Sequence, residues 1–124
     1  MPESAPAKII LLAHGSTDEH WQRTFEQLAA PALAQSEHAV LAHMELCEPS
    51  MATEVEKAAS AGYRTIRILP LFLAQGRHLR KDVPAMIRDL ESRFPVSIEL
   101  MPPVGEHPAL AATLGQIVGE YLAH

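Results

Sequence analysis

Four short apolar runs, each followed by a segment whose apolar residues recur at helical spacing, constrain this chain more than any other feature. The first run, Lys8–Ala13 (KIILLA), is apolar without alternation, as a strand covered on both faces must be. It ends in His14-Gly15-Ser16. Behind it Trp21, Phe25, Leu28 and Ala32 fall at i, i+4, i+7 and i+11, one face of a helix, and Pro31 should kink or end that helix. The second run is residues 39–46 (AVLAHMEL). The helical segment after it, residues 50–61, carries Met51, Val55, Ala58 and Ala59 on one face, with Gly62 as a stop. Residues 65–69 (TIRIL) form the third run, closed by Pro70. Its helix shows Val83, Met86, Ile87 and Leu90, with Asp82 as cap and Pro84 in the first turn. The fourth run, residues 96–101, is halted by Pro102-Pro103. A last helix starts near Pro108 with Leu110, Leu114, Ile117, Val118, Tyr121 and Leu122 on one face.

Successive strand–helix units demand right-handed crossovers and a parallel sheet. The expected fold is therefore α/β: a flavodoxin-like open parallel sheet of about four strands, order 2-1-3-4, with helices on both faces. A length of 124 residues suits one domain, 1–124. Ala, Leu, Val, Ile and Met supply the apolar mass, and aromatics make up only 5%, which favours helices on a sheet over an aromatic-rich sandwich. The single cysteine, Cys47, leaves no internal disulfide framework and suits a reducing compartment. A net charge of −5 argues against general nucleic-acid binding. No apolar run reaches the roughly 20 residues that span a bilayer, and the N-terminus lacks the pattern of a signal peptide. The expectation is a cytoplasmic protein with no membrane and no nucleic-acid partner.

In sheets of this kind ligands bind beyond the carboxyl ends of the strands, where strand order reverses. Three side chains with metal or proton chemistry fall there: His14 after strand one, Glu45 at the end of strand two, and His78 in the loop after strand three. With order 2-1-3 these strands are neighbours. Two imidazoles and a carboxylate suit a borderline divalent metal such as Co²⁺, Ni²⁺, Fe²⁺ or Zn²⁺, and they are equally a set of bases near neutral pH. Each alone has a plainer reading as a loop or surface residue; joint placement is what points to a site. Before His78, the apolar stretch Leu69-Pro70-Leu71-Phe72-Leu73 offers a wall for a flat hydrophobic ligand, with Leu71 and Phe72 as its contacts. Arg77, Arg80 and Lys81 crowd around His78 before a helix, a basic patch suited to carboxylates or phosphates. His43 and Cys47 flank Glu45 at strand spacing, His20, His38 and His124 read as solvated, and His107 before Pro108 as a helix-start residue. Walker A and Rossmann glycine patterns are absent, as is the Gly-x-Ser-x-Gly of α/β-hydrolases. A phosphohistidine mutase would want an arginine where Ala13 stands.

The ordered set of motifs resembles the small CbiX-type sirohydrochlorin chelatases. It runs from Leu11 to Ser16, through Met44-Glu45-Leu46 with Pro49, Pro70-Leu71-Phe72-Leu73 leading to Gly76-Arg77-His78, and Asp82-Val83-Pro84, to Gly105-Glu106-His107-Pro108. The resemblance implies a class II chelatase without nucleotide or second subunit type, built as one half of the bilobal chelatase fold. Histidines matching His14 and His78 then serve metal binding and catalysis, with Glu45 as their acidic partner. The implied substrates are sirohydrochlorin, a polycarboxylated tetrapyrrole, and a divalent metal, cobalt first, with iron or nickel in close relatives. A half-sized chain is expected to complete its site as a homodimer. The histidine-rich tract of several members is missing, so no metal-storage tail is implied. The rival from another class is a non-catalytic metal- or tetrapyrrole-binding carrier.

Overall fold

In the computed structural model, which describes residues 6–123 apart from the side chain of His78, strands and helices alternate as the hydropathy does. The elements are β1 (Lys8–Ala13), α1 (Glu19–Gln35), β2 (Ala39–His43), α2 (Met51–Ser60), β3 (Thr65–Pro70), α3 (Arg77–Arg93), β4 (Ser97–Leu100), a 3₁₀ turn (Val104–Glu106) and α4 (Pro108–Leu122). All strand pairs are parallel, in the order β2-β1-β3-β4, as the sequence implies. Among the described residues no helix is long and apolar enough to cross a membrane.

Side-chain alternation divides the sheet into two unequal faces. Ile10, Leu12, Ile66, Ile68 and Ile98 point to one face and meet Met51, Val55 and Ala58 of α2 and Leu79, Val83 and Leu90 of α3. This is the core. Truncating one of these large aliphatics to alanine costs about 2–5 kcal/mol, so this face holds most of the stability. The other face carries Ile9, Leu11 and Leu69 together with the Arg67–Glu99 ion pair at 3.2 Å. Its main cover is α1, of which only Ala29 is buried. α4 covers neither face: none of its residues is buried, and its one substantial neighbour is the 3₁₀ turn.

Local chemistry sets the boundaries, and three differ from expectation. Helix α1 runs on past Pro31 to Gln35. The proline forfeits only the bond to the carbonyl of Gln27, and both residues are exposed, so water replaces it. Strand β2 stops at His43, not at residue 46, because Leu46 takes a left-handed φ of 73° and turns the chain. Glu45 therefore lies in a loop. Helix α3 begins at Arg77, with Gly76 as its extended N-cap, so His78 stands in the first helical turn and not in a loop. Asp82 is accordingly not the cap, and Pro84 lies inside the helix. Ser50 caps α2 by accepting from the Thr53 N–H at 3.1 Å, as its sequence position suggests. His107 caps α4 in the same way through Nδ1, which accepts from Ala109 at 3.0 Å.

Candidate functional site

The carboxyl ends of β1 and β3 open into a cleft of about 330 Å³ lined by His14, Trp21, Phe25, Leu71, Phe72 and Leu79, among others. His14 leaves β1 as an exposed side chain, and its ring stacks on Phe72 with centroids 4.9 Å apart and planes 29° from parallel. Phe72 is held in place by its own backbone. Leu71 N–H donates to the Leu12 carbonyl at 2.9 Å, and the Phe72 carbonyl accepts from Gly105 at 3.0 Å. Gly105 sits so close to this loop that a Cβ there would collide with the carbonyl of Leu73. The apolar wall expected from Leu71 and Phe72 is thus clamped between β1 and the 3₁₀ turn, with both residues half-buried and Leu73 exposed.

A second glycine joins the neighbouring loops. Gly15 has φ +97°, and a Cβ on it would strike the carbonyl oxygen of Glu45. The loop after β1 therefore lies directly on the loop after β2, and Met44 N–H completes the contact by donating to Ala13 at 2.9 Å. Glu45 is exposed on this second loop. On the other side of the cleft Gly76, one of its lining residues, precedes the turn that carries His78. His14 thus directly follows β1, Glu45 lies in the loop after β2, and His78 lies in the first turn of α3, eight residues past the end of β3. The side chain of His78 lies outside the described residues, as does His124. Among the described residues no three of His, Cys, Asp and Glu gather to hold a metal ion.

The basic residues distribute differently from expectation. Arg77, Arg80 and Lys81 are all exposed, but because α3 already begins at Arg77 they stand at i, i+3 and i+4 along one helical face. Arg80 lines a separate depression of about 190 Å³ with Gln75, Pro84, Leu100 and Met101. His43 is buried, 4% exposed, beneath the site; its Nδ1 lies 3.0 Å from the Pro49 carbonyl, and its Nε2 has no hydrogen-bond partner. Cys47 is half-buried in the same loop. His20 is exposed as expected, but His38 is half-buried and bonds the Tyr63 hydroxyl at 2.7 Å.

Trp21 and Phe25 line the cleft, although their spacing marks them only as one face of a helix. Their rings lie 5.7 Å apart at the cleft wall, and Trp21 remains 50% exposed. Two aromatics one helical turn apart, directly after His14-Gly15-Ser16 in so aromatic-poor a chain, were the available signal. The arrangement as a whole is an imidazole at the mouth of an aromatic and aliphatic slot. It can take a flat apolar ring system against an imidazole able to bind a metal or accept a proton.

Residues 8–121 match the CbiX family model. The fold superposes on the crystal structure of a putative cobalamin (vitamin B12) biosynthesis CbiX protein from Marinobacter aquaeolei with a TM-score of 0.91. Identity to that protein is 49%, over 95% of this chain and 96% of the other. A sirohydrochlorin cobaltochelatase of Methanopyrus kandleri is 35% identical over 81 residues, which are 64% of this chain and 57% of the relative. The chloroplastic sirohydrochlorin ferrochelatase of Arabidopsis thaliana is 27% identical over 94% of this chain and 53% of its own length. The chain thus spans little more than half of these two curated relatives, and nearly all of the Marinobacter protein.

Proposed function

Because the chain belongs to the CbiX family, we propose that it is a chelatase inserting a divalent metal ion, cobalt first, into sirohydrochlorin without nucleotide. The observation that carries this reading is the stacking of His14 on Phe72 at the mouth of the apolar cleft. It sets an imidazole against the surface on which a macrocycle would lie. Relatives named for cobalt and for iron insertion share the fold family, and neutral imidazole accepts Co²⁺, Fe²⁺ and Ni²⁺ alike.

Metallation exchanges two pyrrole N–H protons for one M²⁺ while the ion sheds water. In this reading His14 and His78 are the metal and proton pair. One imidazole holds the incoming ion through an exchangeable bond, and the other accepts a proton from the ring. Glu45, on the loop against Gly15, takes the second proton, or orients an imidazole while water takes that proton. Leu71 and Phe72, with Trp21 and Phe25, receive the macrocycle face. Arg77, Arg80 and Lys81 attract its carboxylates. The working form is a cytoplasmic homodimer, whose second copy faces its carboxyl edge to the first across the exposed Leu73 and supplies the other wall of the slot.

Absorbance spectroscopy of purified protein with excess sirohydrochlorin and a panel of metals tests this directly. Many turnovers per chain with at least one metal, in the absence of nucleotide, are expected. Stoichiometric binding without turnover would replace the enzyme with a carrier.

A further inference from the structure

The loop between β2 and α2, residues 44–49, carries the exposed Glu45 and is held against its own preference. Leu46 takes φ 73°, a left-handed conformation that is unfavourable for a non-glycine residue and persists only where surrounding structure imposes it. Its side chain does not impose it, being 62% exposed. Beneath the loop, at the end of β2, lies the buried His43. Its backbone N–H and its ring Nδ1 both meet the Pro49 carbonyl, at 2.9 and 3.0 Å, so one residue ties the far end of the loop back to the strand twice. A carbonyl only accepts, so Nδ1 carries the hydrogen, and in the neutral ring Nε2 is a bare lone pair. That nitrogen is buried without a hydrogen-bond partner among the described residues. Packing gives no reason for such a residue. Phenylalanine would fill the same space without burying an orphan nitrogen, and the backbone N–H already satisfies Pro49. What histidine adds is the second bond.

We propose that His43 is a positioning residue for metal insertion, whose Nδ1–H bond to Pro49 fixes the loop that presents Glu45 to the reacting groups. Its place in the sheet suits that task. Ala13 of β1 stands beside His43 of β2 in the strand register, and His14 follows Ala13 directly. On the neighbouring side Gly15 lies on the Glu45 carbonyl, and Met44 N–H donates to Ala13 at 2.9 Å. Beyond Pro49 the Glu48 carboxylate accepts from the Ser50 N–H at 3.0 Å, which fixes the entry into α2. The loop is therefore set against β1 at one end and against α2 at the other, and the His43 ring closes it across the base. A carboxylate that takes a proton or orients an imidazole must be held close to its working position, because small misplacements of such groups cost rate. His43 is buried and acts through the loop. The inference rests on the role proposed above for Glu45 and names what holds that residue in place.

Three variants of the full chain test it. His43→Phe keeps the ring and removes both nitrogens, His43→Asn puts an amide N–H near the place of Nδ1, and His43→Gln puts one near the place of Nε2. With Co²⁺ and sirohydrochlorin, His43→Phe should lower kcat roughly ten-fold, the scale of one hydrogen bond, and leave KM for the tetrapyrrole unchanged. His43→Asn should recover most of that loss and His43→Gln should not. In a Glu45→Gln background His43→Phe should add no more than about two-fold, as expected of residues that act together. His43→Phe should also melt within about 4 °C of wild type. The half-buried Cys47, the only cysteine of the chain, reads the loop without any substrate. Its reaction with Ellman's reagent should quicken about ten-fold in His43→Phe and return toward wild type in His43→Asn. An unchanged thiol rate in His43→Phe would overturn the proposal, as would equal turnover of the Asn and Gln variants or a full additive loss in the Glu45→Gln background. A His43→Phe chain that melts far lower or fails to fold would make His43 a structural residue and overturn it too. Wild-type turnover in Glu45→Gln would instead remove the carboxylate role on which the effect on kcat depends, while the thiol rates would still decide what holds the loop.

Discussion

Gly15 turns the chain through φ +97° and lies flat on the Glu45 carbonyl, so its missing side chain sets where His14 and Glu45 stand relative to each other. Gly62 shares the conformation, φ +99°, but has open space around it. The pair separates strain from collision. Gly62→Ala should cost about 1–2 kcal/mol, the price of a left-handed alanine, and leave metal insertion unchanged. Gly15→Ala adds a backbone clash that only movement of the two loops relieves. It should lower Tm by roughly 5–10 °C and insertion by more than an order of magnitude, read by thermal melts and initial rates. Equal effects of the two variants on activity would remove Gly15 from the site. Trp21 gives a second residue-level test, since it is the only tryptophan and lines the cleft at half exposure. Titrating metal-free sirohydrochlorin should quench its fluorescence saturably, and Phe72→Ala should weaken that binding by about 1–2 kcal/mol of lost stacking. Unquenched emission at saturating substrate would place the macrocycle elsewhere.

Among the elements, α1 and α3 depart most from what their residues suggest. Pro31 reads as a break, yet the helix continues because the lost bond faces water. Pro31→Ala should therefore stabilise the chain by about 1 kcal/mol or more, seen as a shifted urea midpoint, with insertion rates untouched; a destabilised variant would mean the proline is needed where it stands. In α3 the early start at Arg77 puts the cations on one helical face and Arg80 over a different depression. Arg77, adjacent to cleft-lining Gly76, is then the more important cation for an anionic substrate. Arg77→Glu should raise KM several-fold at low salt, Arg80→Glu less, and both effects should fade as salt screens exposed charge. A KM indifferent to both reversals and to salt would leave these residues as a solvated helix face. The ends of β1, β3 and β4 were legible to within a residue from their apolar runs and, in β3 and β4, the prolines that close them, whereas β2 was read three residues too long. The starts of α2 and α4 were legible at Ser50 and Pro108, but that of α3 was not, since Gly76 caps it by backbone conformation alone and Asp82 imitates a cap six residues later.

At the scale of the whole molecule, alternation and crossover rules pointed to a parallel sheet, and the flavodoxin-like type supplied the order β2-β1-β3-β4 and the crevice beyond β1 and β3. That is why His14, Glu45 and His78 could be singled out before any coordinates. What periodicity could not show was which surface α4 covers. The stripe from Leu110 to Leu122 looks the same in sequence whether its partner is its own sheet, a second copy or nothing. Trp21 and Phe25 escaped for a related reason, because a helix stripe facing a cleft and one facing a core share the same spacing. We propose that the histidines at this carboxyl edge carry metal insertion into the tetrapyrrole. The measurement that decides it is the initial rate of spectral conversion of sirohydrochlorin with Co²⁺ at limiting metal, in wild type and in His14→Ala, His78→Ala and Glu45→Gln. Each histidine variant should fold normally and lose about 100-fold or more, the scale of removing a metal-holding or proton-accepting group, with Glu45→Gln losing less. Near-wild-type turnover in either histidine variant would contradict the claim.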